Sequence, residues 1–213
     1  MITSHVISTL PPHSLAKILP NPLCSLLSQI KSVNVAVVNL VYPQNCLKFN
    51  GFGYLVPASQ KSNILGVIFD SCAFPEQDEE YDGPFTKLTV MINGDLYDKH
   101  IHGNSNKFFF NIAKTAIAQD LSIHETPLIS RVSFHKECIP QYGLNHMNLV
   151  QQIHSILIDP MSPPISMIGS GFFGVGVNDC IYSARLISQE LRTHGFGKNS
   201  NRKITGLERS QIY

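Results

Sequence analysis

Residues 168–180 read I-G-S-G-F-F-G-V-G-V-N-D-C, with glycines at 169, 171, 174 and 176 between an apolar stretch and a helix-forming one. A run this dense in residues without a Cβ commits the chain to a sharp strand–turn–helix crossing or to close approach by a ligand. Gly169 to Gly174 is literally G-x-G-x-x-G, the pattern of a turn that cradles a dinucleotide pyrophosphate. Half of the required context is present: a strand, 165–168, precedes the glycines and a helix follows. The other half is not. Such a turn opens a strand–helix–strand unit, with an acidic residue about 20 residues on at the end of the second strand. Glu190 has the distance but lies inside the helix, and no apolar strand follows it. The run is therefore not a primary ADP-binding motif. It does lead into a helix start, capped on this reading by Asn178, whose free N–H groups and partial positive charge favour a ligand that gains negative charge. Tight strand–helix packing accounts for the same glycines equally well.

The rest of the chain sets this segment in a frame. "HVISTLPPHSLAKILP" reads as a short strand, a Pro-Pro turn and a helix with Ser14 at its N-cap. Residues 33–42, 51–57, 63–71 and 86–94 read as strands, the last alternating Leu88, Val90 and Ile92 inward. Residues 75–84 form an acidic, turn-rich loop. Residues 106–121 place Phe109, Ile112, Ala113, Ala116 and Ile117 on one helical face. A strand over 130–142 ends at Pro140, a helix covers 145–158, and a last helix from about Asn178 to Thr193 buries Cys180, Ala184, Ile187 and Leu191. The order implies an α/β (α+β) chain in which a β-rich region, 31–143, is flanked by α/β pieces at 1–30 and 144–194. The polar tail, 195–213, is expected to be disordered.

Composition narrows the partners. The net charge of +1 over 213 residues gives no support for nucleic acid or an acidic polymer as partner. Five cysteines, odd in number and without a C-x-x-C pair, fit free thiols rather than a disulfide framework or a zinc site. No run of about 18 apolar residues spans a bilayer, and the first residues lack the pattern of a signal peptide.

The segments "HVISTLP" (5–11), "VAVVNLVY" (35–42), "GFGYLVP" (51–57), "LGVIFDSCAFPEQD" (65–78), "HKECIPQY" (135–142) and "GVGVNDCI" (174–181) together carry a resemblance. In order along residues 5–194, they resemble the C-terminal part of the protoporphyrinogen oxidase family, within the FAD-dependent, amine-oxidase-like flavoproteins. The tail after Gly195 shares nothing with it. The resemblance implies the C-terminal portion of a two-domain FAD-dependent oxidase, with residues 31–143 in its substrate-binding region and 1–30 and 144–194 in its FAD-binding domain. It implies that Ser170, Val175, Gly176 and Val177 contact FAD, the helix start facing the end of the flavin that becomes negative on reduction. It further implies that Phe52, Leu55, Ile68 and Ile139 line an apolar pocket for protoporphyrinogen IX. Each of these also reads as an ordinary core residue. Hydrogen would pass from the macrocycle to the flavin, and molecular oxygen would reoxidise it, in porphyrin and heme biosynthesis. No acid, base or nucleophile of the chain is assigned.

The same resemblance places the primary dinucleotide turn, a membrane-binding helical region and a propionate-anchoring basic residue upstream of Met1. It implies a homodimer, peripheral to the mitochondrial inner membrane, and a chain inactive without that upstream part. Two other readings stay open. One is a non-catalytic truncated form that binds porphyrin or dimerises with the longer enzyme. The other is a different amine-oxidase-like flavoenzyme, disfavoured by Ser170 where those commonly carry an acid and by "CIPQY". His100-x-His102 invites a metal, yet no third ligand is near in sequence and a solvated loop is the simpler reading. His135 and Cys138, three apart on a strand, fall on opposite faces and make no couple.

Overall fold

Alternation of Thr86, Leu88, Val90 and Ile92 with Phe85, Lys87, Thr89 and Met91 produces a strand buried on one face only. It lies near the middle of the principal sheet. The computed structural model describes residues 4–78, 83–96, 105–195 and 203–211. In chain order its elements begin with β1 (Val6–Ser8), α1 (Pro12–Ala16), α2 (Leu23–Leu27), β2 (Ser32–Pro43) and β3 (Gly53–Leu55). There follow β4 (Ile64–Phe69), α3 (Asp70–Ala73), β5 (Phe85–Asn93), α4 (Ser105–Leu121) and β6 (Ile129–Pro140). The chain then runs through α5 (His146–Leu157), β7 (Ile165–Met167) and α6 (Val177–His194). It divides into two units, Met1–Ser32 with Ile139–Tyr213, and Val33–Cys138.

The unit over 33–138 is a five-stranded sheet in the order β3-β4-β5-β2-β6. The pairs β3–β4, β4–β5 and β5–β2 are antiparallel, with Gly53 opposite Ile68, Gly66 opposite Met91 and Val37 opposite Met91. Helix α4 covers one face, burying Phe109, Ala113 and Ile117 against Val67, Leu88, Val90 and Ile92. Ile112 and Ala116 pack at the edge of that core. The face that the sequence pattern assigned to this helix is the face that is covered.

Tyr42 is fully buried in this core, and its hydroxyl has no hydrogen-bond partner among the described residues. Burial first, then the charges of Cys46 and Glu125, push its phenol up to about 12. A raised folded-state value favours the neutral phenol in the fold. Its contribution is complete below the unfolded value of about 10 and is lost as pH rises through about 12. Tyr42→Phe is expected to remove that alkaline loss. By deleting an unsatisfied buried hydroxyl it should also raise stability by ~1 kcal/mol. Urea melts at neutral pH and in the alkaline window check both; a loss of stability at neutral pH would contradict it.

The other unit holds a two-stranded parallel sheet, Val6 opposite Ile165 and Ser8 opposite Met167. Helix α5 buries His146, Leu149, Val150, Ile153, His154 and Leu157, the stripe of an amphipathic helix. This stripe shares a core with Leu15, Leu27, Met167, Phe172 and Leu207.

Three expectations are corrected here. Pro11, not Ser14, precedes α1, because Pro12 at the first helical position starts the helix earlier. In α6 the buried stripe is Ser183, Ile187 and Leu191, while Ala184 is exposed and Cys180 only half-buried. A start at Val177 sets that phase. The tail is not disordered over 203–211: Ile204 and Leu207 are buried, and Glu208–Gln211 forms a 3-10 turn. The motif His100-x-His102 lies outside the described residues. All five cysteines are free thiols.

Candidate functional site

β7 is buried at every position, so the chain leaves it in a fixed direction into the glycine run. Gly174 is the glycine the turn cannot do without. Its φ is +144°, and a Cβ there would lie 2.3 Å from the Asp179 carboxylate. A Cβ at Gly171 would lie 2.3 Å from the Pro12 ring. Gly176 is ordinary extended backbone, with φ of −72°, and a Cβ would meet only Asp179 Oδ2 at 3.0 Å. The glycines at 171 and 174 thus serve internal packing, and the one at 176 leaves the helix start open.

The N-cap of helix α6 lies two residues earlier than its sequence suggests. Gly176, not Asn178, is the N-cap, and the Asp179 carboxylate accepts the Gly176 N–H at 3.2 Å. Sequence reasoning favoured Asn178 because asparagine caps well. The carboxylate two positions inside the helix outcompetes it by reaching back. The first intrahelical bond is from Cys180 N–H to Gly176 O. The N–H groups of Val177, Asn178 and Asp179 have no acceptor among the described residues. Beside them stand Val175 and Val177, 51% and 76% exposed. Free donors at a positive helix end, flanked by exposed apolar side chains, suit the edge of a planar ring that carries carbonyl oxygens.

Two aromatic residues fix this turn, and neither was singled out in the sequence. Tyr142 donates its hydroxyl hydrogen to Ser170 O at 2.5 Å and accepts from Gly174 N–H at 2.8 Å. Its ring stacks on His146, centroids 3.9 Å apart at 7°. His146 is buried at the start of α5, and its Nε2 donates to Phe172 O at 2.9 Å. Burial holds the Tyr142 phenol above its usual range, so it stays protonated and keeps both bonds. The sequence signal was available in "PQYGLNH": a tyrosine and histidine four apart at a helix start.

The expected FAD residues Ser170, Val175, Gly176 and Val177 are brought together on this one loop and helix start. The expected pocket residues divide between the units. Leu55 and Ile68 share the sheet face opposite α4, because Tyr54, between them in register, points the other way. Its ring meets Phe69, and its hydroxyl donates to Asp120 at 2.6 Å. Phe52 lies just before β3, its carbonyl accepting the Phe69 N–H. Phe52 and Leu55 are 67% and 78% exposed, so neither is a core residue. Ile139 belongs to the other unit, at the end of β6, and is partly exposed.

Register adds Met91 to the face of Leu55 and Ile68, through Gly66. Alternation had shown Met91 as the outward partner of Val90 and Ile92, but not which strands flank it. On the same face Asn39 Nδ2 donates to Thr89 Oγ1 at 2.8 Å, and Thr89 Oγ1 donates to Asp70 Oδ2 at 2.7 Å. An apolar surface edged by a short polar chain can hold a large apolar ring with polar substituents. Among the described residues no group of three or more His, Cys, Asp or Glu could hold a metal ion.

The family model described as flavin containing amine oxidoreductase matches residues 3–192. The protoporphyrinogen oxidase of Homo sapiens is 41% identical over 187 residues, covering 85% of this chain and 39% of the relative. That of Dictyostelium discoideum is 29% identical over 213 residues, covering 88% and 40%. A crystal structure from Exiguobacterium sp. 255-15, provisionally named for the same activity, superposes with a TM-score of 0.71 at 19% identity. It is covered over 41% of its length by 89% of this chain, and shows a shared fold. The chain spans about two fifths of the curated relatives it matches.

Proposed function

The chain belongs to the flavin-containing amine oxidoreductase family, and we propose that it forms the C-terminal part of a flavoenzyme oxidising protoporphyrinogen IX to protoporphyrin IX. Molecular oxygen is the terminal electron acceptor in this reading. FAD, the family's cofactor, accepts hydrogen from the macrocycle when bound. The observation that carries the reading is the 41% identity to the human enzyme over 187 residues, 85% of this chain.

The chain's own residues bind and orient. Ser170, Val175, Gly176 and Val177 would hold the flavin end of FAD. The N–H groups of Val177 to Asp179 provide donors where negative charge develops, and they need no rearrangement because Tyr142 and His146 already fix the turn. In the 33–138 unit Phe52, Leu55, Ile68 and Met91 would supply apolar surface for the macrocycle, and Ile139 would offer a further apolar contact from its own unit. No side chain of the chain need move a proton. The reading also places the protein at the mitochondrial inner membrane, as a peripheral homodimer whose membrane contacts lie mainly outside this chain. Among the described residues no helix is long and apolar enough to cross a membrane. Subcellular fractionation checks that location.

The pocket wall gives a test separate from the cofactor. Phe52→Ala and Leu55→Ala remove exposed side chains, so the melting temperature of the chain should shift by no more than ~2 °C. In the protein at the family's full length, each should raise KM for protoporphyrinogen about fivefold to tenfold, the equivalent of ~1–1.4 kcal/mol. Flavin content should not change. Loss of flavin with unchanged KM would remove these residues from the pocket.

A further inference from the structure

β7 has two edges, and among the described residues only one is taken by another strand of the sheet. Toward β1, Ile168 N–H donates to Ser8 O at 3.0 Å. Toward the opposite side, Met167 N–H donates to Thr205 O at 2.7 Å, and Ser166 Oγ donates to Ile204 O at 2.6 Å. Residues 203–207 therefore lie beside the second edge, joined to it by one backbone bond and one side-chain bond and without regular strand pairing. Ile204, Thr205 and Leu207 are 4%, 1% and 0% exposed. Ile204 joins Ile168, Ile187 and Leu191, while Leu207 joins the core around Met167 and Phe172.

Polar contacts clamp the same segment. His154 Nδ1 and Thr205 Oγ1 are 2.7 Å apart, and the Thr205 N–H donates to Glu208 Oε1 at 2.7 Å. Lys203 Nζ donates to the carbonyls of Asp159 and Ser162. Arg209 lies 5.3 Å from the ring centroids of both Phe173 and Tyr182. Gly206 has φ of +76°, and a Cβ there would lie 2.5 Å from Met167 O. A side chain at 206 would push the segment off the edge.

Parallel strands are normally found inside larger sheets covered on both faces, and an open edge is a template for pairing. We propose that the outer edge of β7 is a strand-accepting surface, and that residues 203–207 of this chain are its built-in occupant. The segment satisfies the Met167 N–H, covers Ile168, and presents Ile204 and Leu207 as its two anchors. Any strand that extends this sheet past β7, from the same protein or from another, must displace it. The tail that composition assigned to disorder is on this reading an internal plug. The inference does not depend on the flavin or the substrate.

The amides of Met167 and of Ile168, just past β7, give the test its discrimination, because Met167 faces the tail and Ile168 faces β1. In the full chain, Gly206→Val should raise hydrogen exchange at Met167 by roughly tenfold or more, leaving Ile168 and the amides of the 33–138 sheet unchanged. In a chain ending at 202, a synthetic peptide of residues 203–211 should bind saturably and restore Met167 protection. The same peptide with Gly206→Val should bind at least about tenfold more weakly. Unchanged Met167 exchange in the full-chain variant, or equal binding of the two peptides, would overturn the proposal. Met167 protection in the shortened chain that rises with its own concentration would assign the edge to a second copy, and would overturn the tail as its occupant.

Discussion

Gly174→Val is expected to abolish flavin retention in the protein at the family's full length. The position has φ of +144°, a region that a β-branched residue enters only under strain, and a Cβ would overlap the Asp179 carboxylate at 2.3 Å. Backbone strain alone is of order 1–3 kcal/mol. Displacing Asp179 also removes its bond to the Gly176 N–H, which caps α6. Together these reach ~3 kcal/mol or more, about a hundredfold or more in affinity. The visible spectrum after gel filtration reads the outcome. Gly143→Ala is the matched control: it lies outside the residues placed at the flavin, a Cβ there meets no atom within 4 Å, and it should retain flavin. Equal flavin content in wild type and Gly174→Val would exclude this turn from the cofactor site.

The second large effect is expected at Tyr142. Tyr142→Phe keeps the ring stacked on His146 but deletes the hydroxyl that joins Ser170 O to Gly174 N–H. Leaving two backbone groups without this partner costs ~1–3 kcal/mol. FAD affinity should fall by about tenfold or more, and the Gly174 amide should exchange faster even in the chain without cofactor. A purely structural role would lower the melting temperature without a selective change at Gly174. A positioning role changes that amide first and leaves the sheet of the 33–138 unit protected.

The contrast between these positions shows where the sequence was informative. Period-two alternation identified β5, and 3.6-residue periodicity identified α4 and α5, because each buries one face against a single neighbour. The glycine pattern located the turn at 169–176. It did not distinguish Gly174 from Gly176, since that difference lies in φ and in the reach of Asp179. Local cap preference favoured Asn178 and missed the longer return from Asp179. The Tyr142–Ser170 bond spans 28 residues and leaves no periodic trace. The tail failed for the same reason. Ile204 and Leu207 are two apolar residues in a polar stretch, and only the edge of β7 makes them anchors. Phe52 and Leu55 erred in the opposite direction, reading as core in isolation while their side chains are exposed.

The most direct test of the central claim joins residues 3–192 to the part of the human relative that precedes its matching segment. The purified protein is examined for a flavin spectrum, and for porphyrin fluorescence on addition of protoporphyrinogen and oxygen. The account expects a yellow protein that forms protoporphyrin, with both colour and turnover lost on Gly174→Val. A folded but colourless protein, or a yellow one whose flavin and turnover survive that substitution, would contradict it.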